Sequence, residues 1–238
     1  MQPGDPRAVR DLFESVAPRY DQLNDLLSFG LHRLWKRQAV HWLQPRPGQH
    51  LLDLCCGTGD LALLLAARVR PGGTVLGIDA AAAPLALARR RADAQPWLPL
   101  AWQQGDALRT GLPDACIDGA SMAYGLRNLA DPAAGLLELR RLLRPGGRAA
   151  VLDFRRPDAQ AGRREQALDQ LQRAYLRHLV VPTARLAGLE QEYAYLQASL
   201  DRFPIQQELC AMARQAGFAA VSYRPLAAGL MGLLELRA

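Results

Sequence analysis

The densest chemical signal in this 238-residue chain is Asp53-Leu54-Cys55-Cys56-Gly57-Thr58-Gly59-Asp60. It joins a short apolar run with strand character (residues 50–55) to GDLALLLAARV, which has helical spacing. Glycines at 57 and 59 let the backbone pass against a ligand where a Cβ would clash, and the following helix offers free N–H groups. Asp79 stands twenty residues after Gly59 at the end of GTVLGID, the position from which a carboxylate takes ribose hydroxyls. Gly105-Asp106-Ala107 closes the next run, where a carboxylate and a backbone N–H can read an adenine edge. Three separated segments thus describe one nucleoside site.

Two nucleosides compete for it. Gly57-Thr58-Gly59-Asp60-Leu61-Ala62 reads GxGxxA, the dinucleotide fingerprint, so the glycines alone do not separate NAD from S-adenosylmethionine. The carboxylates do. Asp53, inside the first strand and close to the turn, can meet the ammonium group of a methionine moiety, whereas a pyrophosphate gains nothing from a negative neighbour. Asp60 at the helix start likewise suits an amino group or water better than phosphate. The expected cofactor is S-adenosylmethionine, with Asp53, Gly57, Thr58, Gly59, Asp79, Asp106 and Ala107 around it. No metal is expected.

These residues need strands to carry them. Apolar runs at 50–55, 73–79, 100–104, 115–125 and 147–154 alternate with helical stretches, among them an Ala-rich helix entered near Pro84 and PAAGLLELRRLLR, stopped by Pro145-Gly146-Gly147. This rhythm predicts an α/β, Rossmann-like, mostly parallel sheet covered on both faces, with ligands at the carboxyl ends of its strands. Residues 1–45 read as an N-terminal helical cap, 46–154 as the cofactor-binding half, 155–215 as a helical insertion and 216–238 as a closing strand hairpin, all in a single domain.

Composition bounds the function classes. No apolar run reaches bilayer length, and the N-terminus has no signal core. The four cysteines form no CxxC; the adjacent Cys55-Cys56 pair is poor geometry for a disulfide or zinc, which suits a reducing cytoplasm. Of 29 basic residues all but Lys36 are arginine, giving a formal charge of +6. Scattered arginines without interleaved aromatics point away from nucleic acid.

Beyond the order DLCCGTGD, GID, GDA and PGGR, which is similar to class I S-adenosylmethionine-dependent methyltransferases, three segments narrow the reading. VRDLFESVAPRYDQLNDLLSFGLHRLWKR (9–37), Tyr124-Gly125-Leu126-Arg127-Asn128, and Tyr195-Leu196 with Ser199 and Phe203-Pro204 resemble the ubiquinone/menaquinone biosynthesis methyltransferase family over nearly the whole chain. The Cys55-Cys56 pair and the ending GLMGLLELRA look more like its photosynthetic branch, which methylates the phylloquinone precursor. The resemblance implies a seven-stranded sheet with an antiparallel last strand, and a membrane-borne prenylated quinol as substrate. Demethylmenaquinone or a ubiquinone precursor is the alternative, and an RNA or other small-molecule methyltransferase or a non-catalytic binder is more distant. A cytoplasmic enzyme with peripheral contact to an anionic membrane follows, and a homodimer is compatible.

In this frame Arg127 and Asn128 face the methyl position, Arg127 as an oxyanion stabiliser or positioner because guanidinium is a poor base. An ion pair for Arg127 and helix capping for Asn128 are the structural alternatives. Tyr124 belongs to the cofactor set, and Tyr20, Asp21, Asn24 and Tyr195 to a substrate lid. His32 is a less favoured base. Two departures stand out: relatives often carry a serine just before GLRN, where this chain has Tyr124 preceded by Ala123, and Ala80–Ala83 lacks the polar residue and methionine that often follow the ribose-binding aspartate.

Overall fold

The computed structural model describes residues 4–19, 25, 28, 30–180, 182 and 190–238. Seven strands form one sheet: β1 (His50–Leu54), β2 (Thr74–Asp79), β3 (Leu100–Gln104), β4 (Ile117–Ala123), β5 (Leu143–Phe154), β6 (Ala220–Leu226) and β7 (Met231–Arg237). Their order is β3-β2-β1-β4-β5-β7-β6. The first five pair in parallel, and β7 runs antiparallel to both β5 and β6. The expected mostly parallel sheet with an antiparallel last strand is therefore observed.

Alternation along β1 divides the core. Leu52 and Leu54 face one side, where α5 (Pro132–Leu142) and α8 (Gln206–Gln215) supply Leu136, Leu139, Leu209 and Ala213. Leu51 faces the other, packing with Val40 and Leu43 of α2 (His32–Leu43) and with Leu61 and Leu65 of α3 (Asp60–Val69). The N-terminal stretch therefore has two jobs. Helix α2 is a sheet-covering layer, fastened where the Trp42 indole donates to the Ala149 carbonyl at 3.2 Å. Helix α1 (Pro6–Val16) lies over the carboxyl ends of the strands, its Leu12 and Val16 packed on Leu176, Tyr195 and Leu200. Between β5 and β6 come α6 (Arg163–Tyr175) and α7 (Glu190–Arg202), and α4 (Ala82–Asp93) follows β2.

Helix α5 begins at Pro132, where Asp131 accepts hydrogen bonds from Ala133 and Ala134 N–H. It ends at Leu142, two residues earlier than its apolar pattern suggests, because Leu143 already pairs with Ile117. The ladder shifts register between Ile117 and Gly119, and Pro145-Gly146-Gly147 falls inside β5 rather than before it. β4 likewise ends at Ala123, since Tyr124 turns into the left-handed region at φ 59°.

Gly59 shows how packing fixes the glycine loop. Its φ is 85°, and a Cβ there would sit 2.5 Å from the Trp102 indole of β3. The same indole lies 2.5 Å from the place of a Cβ at Gly77, so two glycines make room for one ring. Gly59→Ala combines a disfavoured φ with an overpacked indole and is expected to lower the unfolding free energy by about 2–4 kcal/mol. Urea denaturation measures this, and recovery of part of the loss by Trp102→Leu in the same background would assign it to the ring.

Candidate active site

At the carboxyl ends of β1, β2, β3 and β4 the structure opens one cavity, roofed by Val9, Arg10 and Phe13 of α1. Gly57, Asp79, Asp106 and Ala107, singled out by type and spacing, and Tyr124 and Asn128, singled out by the family resemblance, all line it. Gly57 has φ 54°, and a Cβ built on it meets nothing within 4 Å, so the loop borders open space. Cys55, also at positive φ (56°), lines the cavity, and burial pushes its thiol well above the usual range. The Asp79 carboxylate braces the loop, accepting from Gly57 N–H at 2.8 Å and Ala81 N–H at 2.9 Å. Burial raises its pKa despite these bonds. Asp106 accepts from Leu108 N–H at 2.9 Å, which closes the turn after β3.

Other predicted residues stand behind the wall. Asp53 is 1% exposed and does not line the cavity. Its oxygens accept from the Ser121 hydroxyl (2.6 Å) and the Ala62 N–H (3.0 Å), tying β1 to β4 and to the first turn of α3. Burial pushes its carboxyl up to about 7. Thr58 is buried, its carbonyl and hydroxyl oxygens accepting from Arg91 at 3.1 and 3.3 Å. Asp60, which by position suits an incoming amino group, is paired within the protein to Lys36 Nζ at 2.6 Å and Arg91 at 2.7 Å. Burial works against its charge, but the two cations outweigh that and hold it at about 2.

The Tyr124–Asn128 turn is the second half of the site. Arg127 and Asp153, both nearly fully buried, form an ion pair at 2.8 Å, the arrangement left as the structural alternative for Arg127. Asp153 also accepts from the Arg127 backbone N–H at 3.1 Å and from Phe154 N–H at 2.8 Å. The Arg127 guanidinium and the Asn128 amide each donate to the Tyr124 carbonyl at 2.8 Å. Asn128 does not cap α5, because Asp131 does. Its Oδ1 instead accepts from the Tyr195 hydroxyl of α7 at 3.1 Å. Tyr195 is buried, which raises its pKa, so it reaches the cavity through Asn128. Arg202 of the same helix donates to the Arg127 and Leu129 carbonyls at 3.2 and 2.6 Å.

Tyr20, Asp21 and Asn24 lie outside the described residues. His32 is buried and shares a 2.8 Å contact with Asp25, away from the cavity. Residue type and spacing do not single out Asp153, Lys36, Arg91 or Arg202 as site residues. Asp153 had a signal, being the one acid at the end of the apolar run GRAAVLDF; the others are surface-type residues whose partners are distant in sequence. Among the described residues no group of three or more His, Cys, Asp and Glu could hold a metal ion, and no helix is long and apolar enough to cross a membrane.

Comparison with known proteins supplies the chemistry. The ubiE/COQ5 methyltransferase family matches residues 1–234. A 2-phytyl-1,4-naphtoquinone methyltransferase of Thermosynechococcus vestitus is 51% identical over 94% of this chain and 96% of its own. The Synechococcus elongatus protein of the same name is 48% identical over 98% of both chains. A crystal structure of a SAM-dependent methyltransferase from Aquifex aeolicus superposes with TM-score 0.60 over 98% of both chains at 16% identity, a likeness of fold.

Two expectations follow from the buried charges. Asp153→Asn leaves the Arg127 guanidinium buried beside a neutral amide and is expected to cost about 3–5 kcal/mol of stability, read by chemical denaturation. Asp53 binds its proton more tightly folded than unfolded, so its contribution to stability is full below the ordinary value of 3.8 and is lost as pH rises to about 7. Asp53→Asn should flatten that decline in an unfolding series from acid to neutral pH; an unchanged slope would assign the titration elsewhere.

Proposed function

The chain belongs to the ubiE/COQ5 methyltransferase family, and from that premise we propose that it methylates a ring carbon of 2-phytyl-1,4-naphthoquinol, with S-adenosylmethionine as methyl donor. One observation carries the reading at this chain's own site: Gly57, Asp79 and Asp106 share a single cavity with Asn128. The first three fit the nucleoside. The open space at the Gly57 Cβ position lets a ligand lie against the loop, and Asp79 lines the same cavity, where its carboxylate is the acceptor for a ribose hydroxyl. The bound nucleoside supplies a methyl group made electrophilic by a sulfonium.

The quinol becomes a nucleophile when a ring hydroxyl loses its proton, because the phenolate pushes charge onto the neighbouring carbon. The protein's part is to hold that ring in line and to stabilise the oxyanion, contributions worth up to roughly 7–11 kcal/mol for alignment alone. Asn128 is placed to meet the quinol hydroxyl, since one of its amide hydrogens remains after the bond to the Tyr124 carbonyl. Arg127 acts as a positioning residue behind it, its charge balanced by Asp153 and its guanidinium holding that carbonyl.

A phytyl quinol lives in a bilayer, so the protein must work at its surface. Leu31, at the N-cap of α2, and Leu34, within the helix, are 47% and 50% exposed, next to the exposed Arg33 and Arg37. Apolar side chains flanked by cations suit shallow contact with anionic lipid. Co-sedimentation with anionic liposomes should weaken with salt and with Leu34→Asp.

The deciding experiment incubates the purified chain with S-adenosylmethionine and reduced 2-phytyl-1,4-naphthoquinone in detergent. Mass spectrometry should find a product one methyl heavier. Asn128→Ala should lower kcat by about 100-fold or more while nucleoside affinity changes little. Transfer only to a polyprenyl demethylmenaquinol would move the reading to that substrate, and transfer to neither quinol would end it.

A further inference from the structure

Helix α4 begins without a cap of its own. Its N-cap residue is Ala81, whose methyl accepts nothing, and the third residue, Pro84, has no N–H. The free donors of its first three residues are therefore Ala82 and Ala83 N–H, and one side chain takes both. Glu14, from α1, accepts from Ala82 at 2.5 Å through Oε1 and from Ala83 at 2.8 Å through Oε2. A capping carboxylate 68 residues away in sequence satisfies the helix end and meets its positive pole.

The placement matters because α1 is a wall of the cavity. Val9, Arg10 and Phe13 line it together with Gly57 and Asp79, and so do Ala80 and Ala81, next in sequence to the two residues that Glu14 grips. Leu12 and Val16 bind the other side of α1 to the insertion helices by apolar contact, which has no direction. The Glu14 bond is directional and specifies how α1 sits on the nucleoside half of the site.

We propose that Glu14 is a latch: by capping α4 from α1 it holds the roof closed over the nucleoside and slows its exchange. This rests on the assignment of the cavity to S-adenosylmethionine given above. Glu14 is a positioning residue, and no step of methyl transfer passes through it.

The test uses the full chain and separates latch from mere cap. Glu14→Ala should release S-adenosylmethionine about tenfold faster in stopped-flow fluorescence, because two charge-assisted bonds across the roof are lost. Glu14→Gln, which keeps an acceptor without the charge, should fall between. In the absence of nucleoside, trypsin should cut after Arg10 faster in Glu14→Ala than in the parent. Ala81→Ser, added to Glu14→Ala, gives α4 its own hydroxyl cap; it should restore the melting temperature yet leave release and cleavage fast. If that double variant released the nucleoside and resisted trypsin like the parent, Glu14 would be a helix cap and the latch would be refuted. If the parent chain bound no S-adenosylmethionine, the assignment of the cavity would fall instead, and the trypsin comparison would still decide whether Glu14 holds α1 down.

Discussion

Where β4 ends, the backbone must leave the sheet and deliver a polar side chain to the cavity without stranding its own carbonyl. Tyr124 makes that turn at φ 59°, a conformation that costs a non-glycine residue of order 1–3 kcal/mol. The Arg127–Asp153 pair at 2.8 Å is what holds it there, because the same guanidinium captures the Tyr124 carbonyl. Asp153 stands at the end of β5, the neighbouring strand, so the pair fastens the turn to the sheet itself. Asn128 is then fixed from two directions, by the Tyr124 carbonyl below and the Tyr195 hydroxyl above. Buried ion pairs rarely add much net stability against an apolar alternative. This one, through the Tyr124 carbonyl, gives the Asn128 side chain a single orientation in the cavity wall.

The loop on the opposite side of the cavity follows the same logic with more charges. Asp60 binds Lys36 and Arg91, Arg91 also binds Thr58, and Asp79 binds Gly57. Asp60 and Asp79 thus shape the loop before any ligand arrives, and Asp79 keeps acceptor capacity for one. The pKa values separate accordingly: two cations hold Asp60 at about 2, whereas Asp53, bonded to a hydroxyl and one N–H, is pushed to about 7 by burial.

How legible this was depends on whether a residue works through local pattern or distant partners. The strands, the antiparallel ending, and the convergence of Gly57, Asp79, Asp106 and Asn128 on one cavity were legible. Gly57, Asp79 and Asp106 sit at or just past strand ends, which meet on one edge of a parallel sheet, while Asn128, in the turn beyond β4, follows from the family resemblance. The burial of Asp53 was not, since alternation tells which face a strand residue takes but not that Ser121 and Ala62 will occupy its oxygens. Glu14 was opaque for a related reason. It reads as one more acid on an amphipathic helix, and its role exists only because Ala81 and Pro84 leave α4 uncapped far along the chain.

Lys36 shows the same dependence on partners through its chemistry. Among 29 basic residues it alone is not arginine, and it is one of the few that are buried. Its ammonium lies 2.6 Å from Asp60 and 5.8 Å from the centre of the Tyr124 ring. A guanidinium brings five N–H donors in a rigid fork, more than one carboxylate and an aromatic face can satisfy. An ammonium is a compact charge that these neighbours can accommodate. Through it α2 touches both halves of the site, the glycine loop by way of Asp60 and the Asn128 turn by way of Tyr124. The helix that covers the sheet therefore also ties the glycine loop to the turn that carries Asn128, so the spacing of the two cavity walls depends on one buried ammonium.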